Sequence, residues 1–401
     1  MIQVRLCIFF SVFVAMVGLM IIAPVMPPLI RELGLSETHS GLIISLGSVA
    51  MAMMAPIWGN WSDQKGRKFV ILMGFLGMFM SYVLFTAVMY AGLTKLISGS
   101  LLIVLLIVAR AMVGMFIPAV PSSAQAYMAD LTDEQGRSAG MALIGAANGL
   151  GLVLGPAIAG AFAFIGLIWP LYIGALLPLI AFFVVLLLIP AQKPVFQPKP
   201  SEVSPFQKGV RLYLFAGLAT MLSIVSLQVV GGFYFQDQLS LTTQETARMV
   251  SFGLMLSGVA MIITQGLQVK KPKLQPKTLI LIGSLLLIIS ILLFLFVISL
   301  IGFYLAFFLF GVGVGLMMPG FMAGASLSVT HEQQGGVAGL VASVQGVAAV
   351  IAPILSTTLY QLDKHLPFAF VAVIVLLMAI TLLTVKNRKT KSRSVSWEAG
   401  D

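Results

Sequence analysis

Residues 101–120 read LLIVLLIVARAMVGMFIPAV, and residues 140–160 read GMALIGAANGLGLVLGPAIAG. Between them lies one polar break carrying Asp130, Asp133, Glu134 and Arg137. Each apolar run is long enough to cross a bilayer, since about 20 mostly apolar residues span the hydrocarbon layer as a helix. The first run holds a lone arginine, Arg110, and the second is thick with glycine and contains Gly155-Pro156. A weaker copy of the pair recurs later. Gly114 and Pro118 match Gly315 and Pro319 at a shift of 201, Thr132 matches Thr330 at 198, and Pro156 matches Pro353 at 197. So steady a spacing predicts two related halves, each with its own fourth and fifth spans.

Composition agrees. Of 401 residues, 59% are hydrophobic and only 9% charged, against about 25% charged in a soluble domain. The mean hydropathy is +1.07. A single large soluble core would need a polar surface that these residues cannot supply, so the chain reads as an integral membrane protein. The net charge of +10 does not point to nucleic acid, because the cations sit at span ends, where they set orientation. The one cysteine, Cys7, cannot form an internal disulfide. The first 30 residues have the basic start and apolar run of a signal peptide. They lack a small-residue cleavage site, which predicts a retained first helix.

Twelve apolar segments fit, at 6–30, 41–59, 69–90, 99–121, 138–163 and 168–189, then at 211–235, 247–269, 277–298, 300–324, 336–360 and 366–385. The expected fold is all-α, with twelve transmembrane helices in two pseudo-symmetric six-helix bundles. The expected divisions are an N-terminal bundle at 1–189, a linker at 190–210, a C-terminal bundle at 211–385 and a basic tail at 386–401. The linker carries Pro190, Pro194, Pro198, Pro200 and Pro205 among lysines, a composition that favours extended chain. With the N-terminus inside, one side of the membrane collects Arg5, Lys65, Arg67, Lys68, Arg137, the linker cations, Lys270, Lys271, Lys273, Lys277 and the tail. The other side holds only Arg31, Lys95, Arg248 and Lys364. The positive-inside rule then predicts that both termini and the linker are cytoplasmic.

Three stretches carry chemistry. Between spans two and three lies GNWSDQKGRK, with Gly59, Asp63, Gly66, Arg67 and Lys68. Gly59 allows close helix approach, Gly66 a tight turn, and Asp63 a charge pair with Arg67 one helical turn on. In span four, Arg110 near mid-membrane costs several kcal/mol unless it faces a cavity or a partner. In span five, Gly145, Gly149, Gly151, Gly155, Pro156 and Gly160 allow close backbone packing and a bend.

These patterns resemble the major facilitator superfamily. Gly-x-x-x-Asp-x-x-Gly-Arg-Lys after the second of twelve spans is similar to its signature loop, with Trp61 at the usual leucine. The corresponding second-half loop has Gly266, Lys270 and Lys273, so a full latch is expected only in the first half. Arg110-x-x-x-Gly114 resembles the fourth-helix motif. Gly151-x-x-x-Gly155-Pro156-x-x-x-Gly160 resembles the fifth-helix motif of the antiporter branches, with Ala159 and Ala142 as departures. Pro24, Pro27 and Leu33-Gly34 resemble the outer end of helix one in twelve-helix drug:proton antiporters of the multidrug and tetracycline type. The resemblance implies that Asp63, Arg67, Gly59 and Gly66 gate the cytoplasmic side, and that Arg110 serves coupling or substrate binding. It also implies proton-driven efflux of small amphipathic compounds, including antibiotics, by alternating access.

The acids qualify that expectation. None of the thirteen falls mid-membrane, and Glu32, Asp237 and Asp130 at helix ends read as solvated termini. Neutral polar residues stand inside instead, with Asn148, Gln228 and Gln345 as the pocket candidates. The expected cargo is therefore neutral, zwitterionic or anionic, with Arg110 as its counter-charge. A dedicated exporter or importer of one metabolite, such as a carboxylate siderophore or a sugar, stays open as the alternative. The 27 phenylalanines and 23 methionines suit a pocket of adaptable shape. No nucleotide-binding loop is present, and His39, His331 and His365 lie far apart without metal-ligand spacing, so neither an ATP-driven pump nor an enzyme is expected. The expected partners are a small-molecule substrate, protons and the lipid bilayer of a bacterial inner membrane. The chain is expected to work as a monomer without cofactor or metal.

Overall fold

The computed structural model describes residues 2–132, 137–190, 204, 207, 209–270, 274–330 and 333–384. The expected linker falls almost wholly outside these residues, and the expected tail wholly so. In chain order the helices are α1 (Ile2–Ile21), α2 (Met26–Glu32), α3 (Glu37–Lys65), α4 (Arg67–Leu93), α5 (Gly99–Phe116), α6 (Ala119–Asp130), α7 (Arg137–Ala163) and α8 (Trp169–Leu188). The second half contains α9 (Val210–Leu239), α10 (Thr243–Lys270), α11 (Pro276–Phe296), α12 (Leu300–Ser326), α13 (Gln334–Leu362) and α14 (Leu366–Thr384).

Fourteen helices make twelve spans among the described residues, because α1 with α2, and α5 with α6, each cross as one broken unit. Proline explains both breaks. It lacks the amide hydrogen that the ladder needs, and it sits comfortably only at a helix start. Pro24 lies in the turn after α1, Pro27 and Pro28 open α2, and Pro118 caps α6. The spans outrun their expected limits, since α3 continues to Lys65 and the fourth span to Asp130. Their polar last turns reach past the apolar stretch that hydropathy detects.

The first eight helices pack among themselves, as do the last six. The halves meet along two seams, α3 against α13 and α7 against α10. Small residues permit the close approaches. A Cβ on Gly114 would stand 2.0 Å from the carbonyl oxygen of Gly47, so α5 touches the backbone of α3. In the second half, a Cβ on Gly311 would stand 2.1 Å from the carbonyl oxygen of Ser257, placing α12 on α10 in the same way. Gly311, not Gly315, is thus the packing counterpart of Gly114. Its shift of 197 agrees with that of Pro156 and Pro353.

The seams are tight at one end only. Gly41 lies under Thr357 and Pro353, the Ser45 hydroxyl donates to the Val350 carbonyl at 2.6 Å, and Gly160 abuts Ser251. These contacts cluster at the end that carries Arg31. Toward the Gly66 end, Gly59, Gly145, Gly266, Gly339 and Gly346 have nothing within 4 Å of an added Cβ. The expectation that Gly59 serves close helix approach is therefore not met in this conformation, because the helix ends around it splay apart.

Candidate functional site

A cavity of about 360 Å³ lies between the halves. Its wall is mostly aliphatic and contains seven methionines, Met16, Met20, Met26, Met51, Met221, Met261 and Met318. Arg110, Gln228 and Gln345 line it as the sequence suggested, together with Ser48, Ser257 and Pro156. Asn148 is not in the lining. Like its neighbour Gly149, which lies against Ile262, it belongs to the part of α7 nearer the splayed end. Mid-span position alone could not separate it from the other polar candidates.

Among the described residues of the wall, Arg110 is the one charged side chain. It is 7% exposed, and its Nε has no hydrogen-bond partner. Gly47 makes its place, since a Cβ there would come within 3.0 Å of the Arg110 Cγ. Nothing in the local sequence around Gly47 marked this role. A buried guanidinium without an ion pair is costly, so the cavity presents a strong, unsatisfied donor set to whatever enters. In the same wall, the Gln228 amide of α9 donates to the thioether of Met20 on α1, in the other half, at 3.6 Å.

The glycine motif of α7 shapes the same wall. Added Cβ atoms on Gly151 and Gly155 would meet Met16 and Met20 of α1 at 2.4 and 2.6 Å, while Gly160 faces Ser251 of α10. The motif thus seats α7 against α1 and also against the second half.

Two charged clusters lie beyond the cavity, one at each end. At the Gly66 end, Gly66 takes a φ of +96° and turns the chain directly into α4. Arg67 is 3% exposed there. It pairs with Asp63, donates through Nε to Asp130 at 3.1 Å and through Nη1 to the Ser62 hydroxyl at 3.2 Å. Asp130 is accordingly not a solvated terminus. The turn of α6 beyond the apolar run carries it back to α4, a contact over 63 residues that local sequence cannot show.

At the other end, Arg31 closes the seam. Its two terminal nitrogens reach both oxygens of Asp237 on α9 at 2.5 and 2.8 Å, and Nη2 also pairs with Glu37 at 2.9 Å. The Tyr360 hydroxyl of α13 donates to Asp237 at 2.5 Å, and the Phe233 ring lies 5.1 Å from the guanidinium carbon. Four helices from both halves meet at this knot. The expectation that Asp237 is a solvated terminus fails because its partner lies 206 residues away. Glu32 makes no ion pair among the described residues, but its carboxyl shares a hydrogen bond with the Thr243 side chain of α10.

The chain itself, with its two bundles and central cavity, is matched in sequence by a family model. The Major Facilitator Superfamily model covers residues 8–345 and 273–400. The chain belongs to that superfamily. It is 24% identical over 375 residues to Multidrug resistance protein 1 of Bacillus subtilis, covering 90% of this chain and 91% of that one. It is 27% identical over 403 residues to the class B tetracycline resistance protein of Escherichia coli, covering 94% and 95%. The crystal structure of the human organic anion transporter MFSD10 superimposes with a TM-score of 0.67 at 19% identity, over 95% of this chain and 99% of that one. The protein is thus an integral membrane transporter of small molecules, and the family is not an enzyme family.

Proposed function

We propose that this transporter is a proton-driven exporter of small amphipathic compounds, antibiotics among them. It works by alternating access in the bacterial plasma membrane, with both termini in the cytoplasm. The observation that carries the reading is the cavity, an apolar, methionine-rich wall with one unpaired guanidinium and two amides. Thioethers are soft and adapt to many shapes. The guanidinium selects for an acceptor or an anionic group. The names of the multidrug and tetracycline relatives support the direction.

In this reading the Gly66 end faces the cytoplasm, and the structure is open toward it. Arg31, Asp237 and Tyr360 form the outer gate. Asp63, Arg67, Gly59 and Gly66 belong to the cytoplasmic latch, which closes when the outer gate parts. No acid lines the cavity among the described residues, so proton coupling runs through the end-of-helix acids Asp63, Asp130 and Asp237.

A substrate screen in inverted vesicles with a pH-gradient readout tests this. Tetracyclines, quinolones or phenicols should dissipate the gradient through the native chain, and Arg110→Ala should lose the response to carboxylate-bearing quinolones while keeping that to neutral phenicols. Silence from every compound class would overturn the proposal. A response to one carboxylate metabolite alone would favour the dedicated carrier, which the lone Arg110 also suits.

A further inference from the structure

A second crevice of about 510 Å³ opens on the outer flank of the seam between α7 and α10, at the Arg31 end. It is separate from the central cavity. Arg248 of α10 lies in it, over the Phe164 ring, with its guanidinium carbon 3.5 Å from the ring centroid. Phe164 ends the α7 side, so this contact bridges the halves. The Arg248 Nε is buried without a hydrogen-bond partner, and so is the hydroxyl of Ser251, which is 2% exposed. Glu245 also lines the crevice and attracts Arg248 through space, but the two make no direct ion pair. The Glu245 carboxylate instead accepts from the Thr242 amide at 2.9 Å and the Thr242 hydroxyl at 2.7 Å. The rest of the lining is largely apolar: Phe252, one helical turn further into α10 than Arg248, packs edge to face with Tyr304 at 4.9 Å, and exposed Leu300 opens α12 beside them.

We infer that this crevice seats one anionic phospholipid, with the phosphate on Arg248 and Ser251 and an acyl chain along Phe252 and Tyr304. The order of groups along α10 is that of a lipid, with the cation of Arg248 one helical turn nearer the helix end than the ring of Phe252, and the Ser251 hydroxyl beside that ring. Arginine favours phosphate because its planar fork donates two bonds at once, and stacking on Phe164 fixes that fork in place. A neutral headgroup brings its own cation to the same spot and repels Arg248. Because α7 and α10 belong to opposite halves, the bound lipid bridges the seam and holds this end shut. Under the orientation proposed above it comes from the outer leaflet, but the site itself does not depend on the direction of transport.

The test is lipid retention by native mass spectrometry of the purified full chain, exchanged into micelles containing phosphatidylglycerol or phosphatidylcholine. The native chain should keep one phosphatidylglycerol and no phosphatidylcholine. Arg248→Gln should retain phosphatidylglycerol at least tenfold more weakly, and Arg248→Lys, which keeps the charge but loses the fork and the stack, should fall between it and the native chain. Ala161→Trp, which fills the exposed wall of the crevice without touching the charge, should also lose it, so the result does not depend on one variant folding. Equal retention of both lipids, or unchanged retention by Arg248→Gln and Ala161→Trp, would overturn the assignment. So would protection against thermal unfolding by free glycerol phosphate equal to that given by the lipid, which would mark an anion site with no lipid preference.

Discussion

Replacing Asp237 with asparagine should open the Arg31 end of the transporter. Arg31 would lose two charge-assisted bonds to Asp237, and Tyr360 would lose its charged acceptor. A hydrogen bond to a charged group contributes about 1.5–3 kcal/mol in a buried setting, and an exposed pair about 0–1. The side chains of Arg31 and Asp237 are 24% and 38% exposed, so the value lies between those limits. Glu37 stays paired with Arg31, and the asparagine keeps a neutral acceptor. The net loss to the closed state is then about 1–2 kcal/mol, a shift of roughly 5- to 30-fold toward the open one. The assay is labelling of Ser48→Cys, in the cavity wall, by an impermeant maleimide added to intact cells. Cys7→Ser supplies the cysteine-free background. Labelling of the Asp237→Asn form should be faster by about that factor, and the Arg31→Asp/Asp237→Arg exchange should restore the slow rate. An unchanged rate in Asp237→Asn, or fast labelling in the exchanged pair, would refute the gate.

Asp130→Asn removes one of two acids from a nearly buried arginine and should lower the unfolding free energy by about 1–3 kcal/mol in detergent. Asp63→Asn, at the more exposed acid, should cost less stability and more flux, as read by melting and vesicle transport together. Gly114→Val forces a side chain into the Gly47 carbonyl and should destabilise by about 1–3 kcal/mol or more. Gly59→Ala should raise the melting temperature slightly, because nothing stands against the added methyl in this conformation and alanine favours the helix by about 0.5–1 kcal/mol. Arg110→Ala should weaken binding of carboxylate-bearing substrates about tenfold or more while sparing neutral ones, measurable by equilibrium dialysis in detergent.

The twelve spans were legible because hydropathy is a local property, and a run of about 20 apolar residues has few other uses. Arg110 was legible for the same reason, as a charge that needs an explanation wherever the span packs. Gly66 showed itself through its neighbours Asp63 and Arg67. What stayed hidden were pairings between distant segments. Arg31 and Asp237 look like ordinary span ends in their own contexts, and only the fold joins them. A signal did exist, since Arg31 is one of four cations on its side and ends span one while Asp237 ends span seven, the matching position in the second half. Gly47 was indistinguishable from the other glycines until Arg110 was seen lying against it. Asn148, Gln228 and Gln345 were equivalent as neutral polar residues. Asn148 was separated by its depth along α7, since Leu152 and Pro156 on the same face do line the cavity.

The seven thioethers in the central wall carry a chemical liability. Peroxide or hypochlorite converts methionine to its sulfoxide, exchanging a soft apolar side chain for a polar, chiral one. Oxidation at Met20 would also place a strong oxygen acceptor where the Gln228 amide now meets a thioether. A cell under oxidant attack would then operate a wetter chamber with altered cargo preference, until reductases repaired the damage.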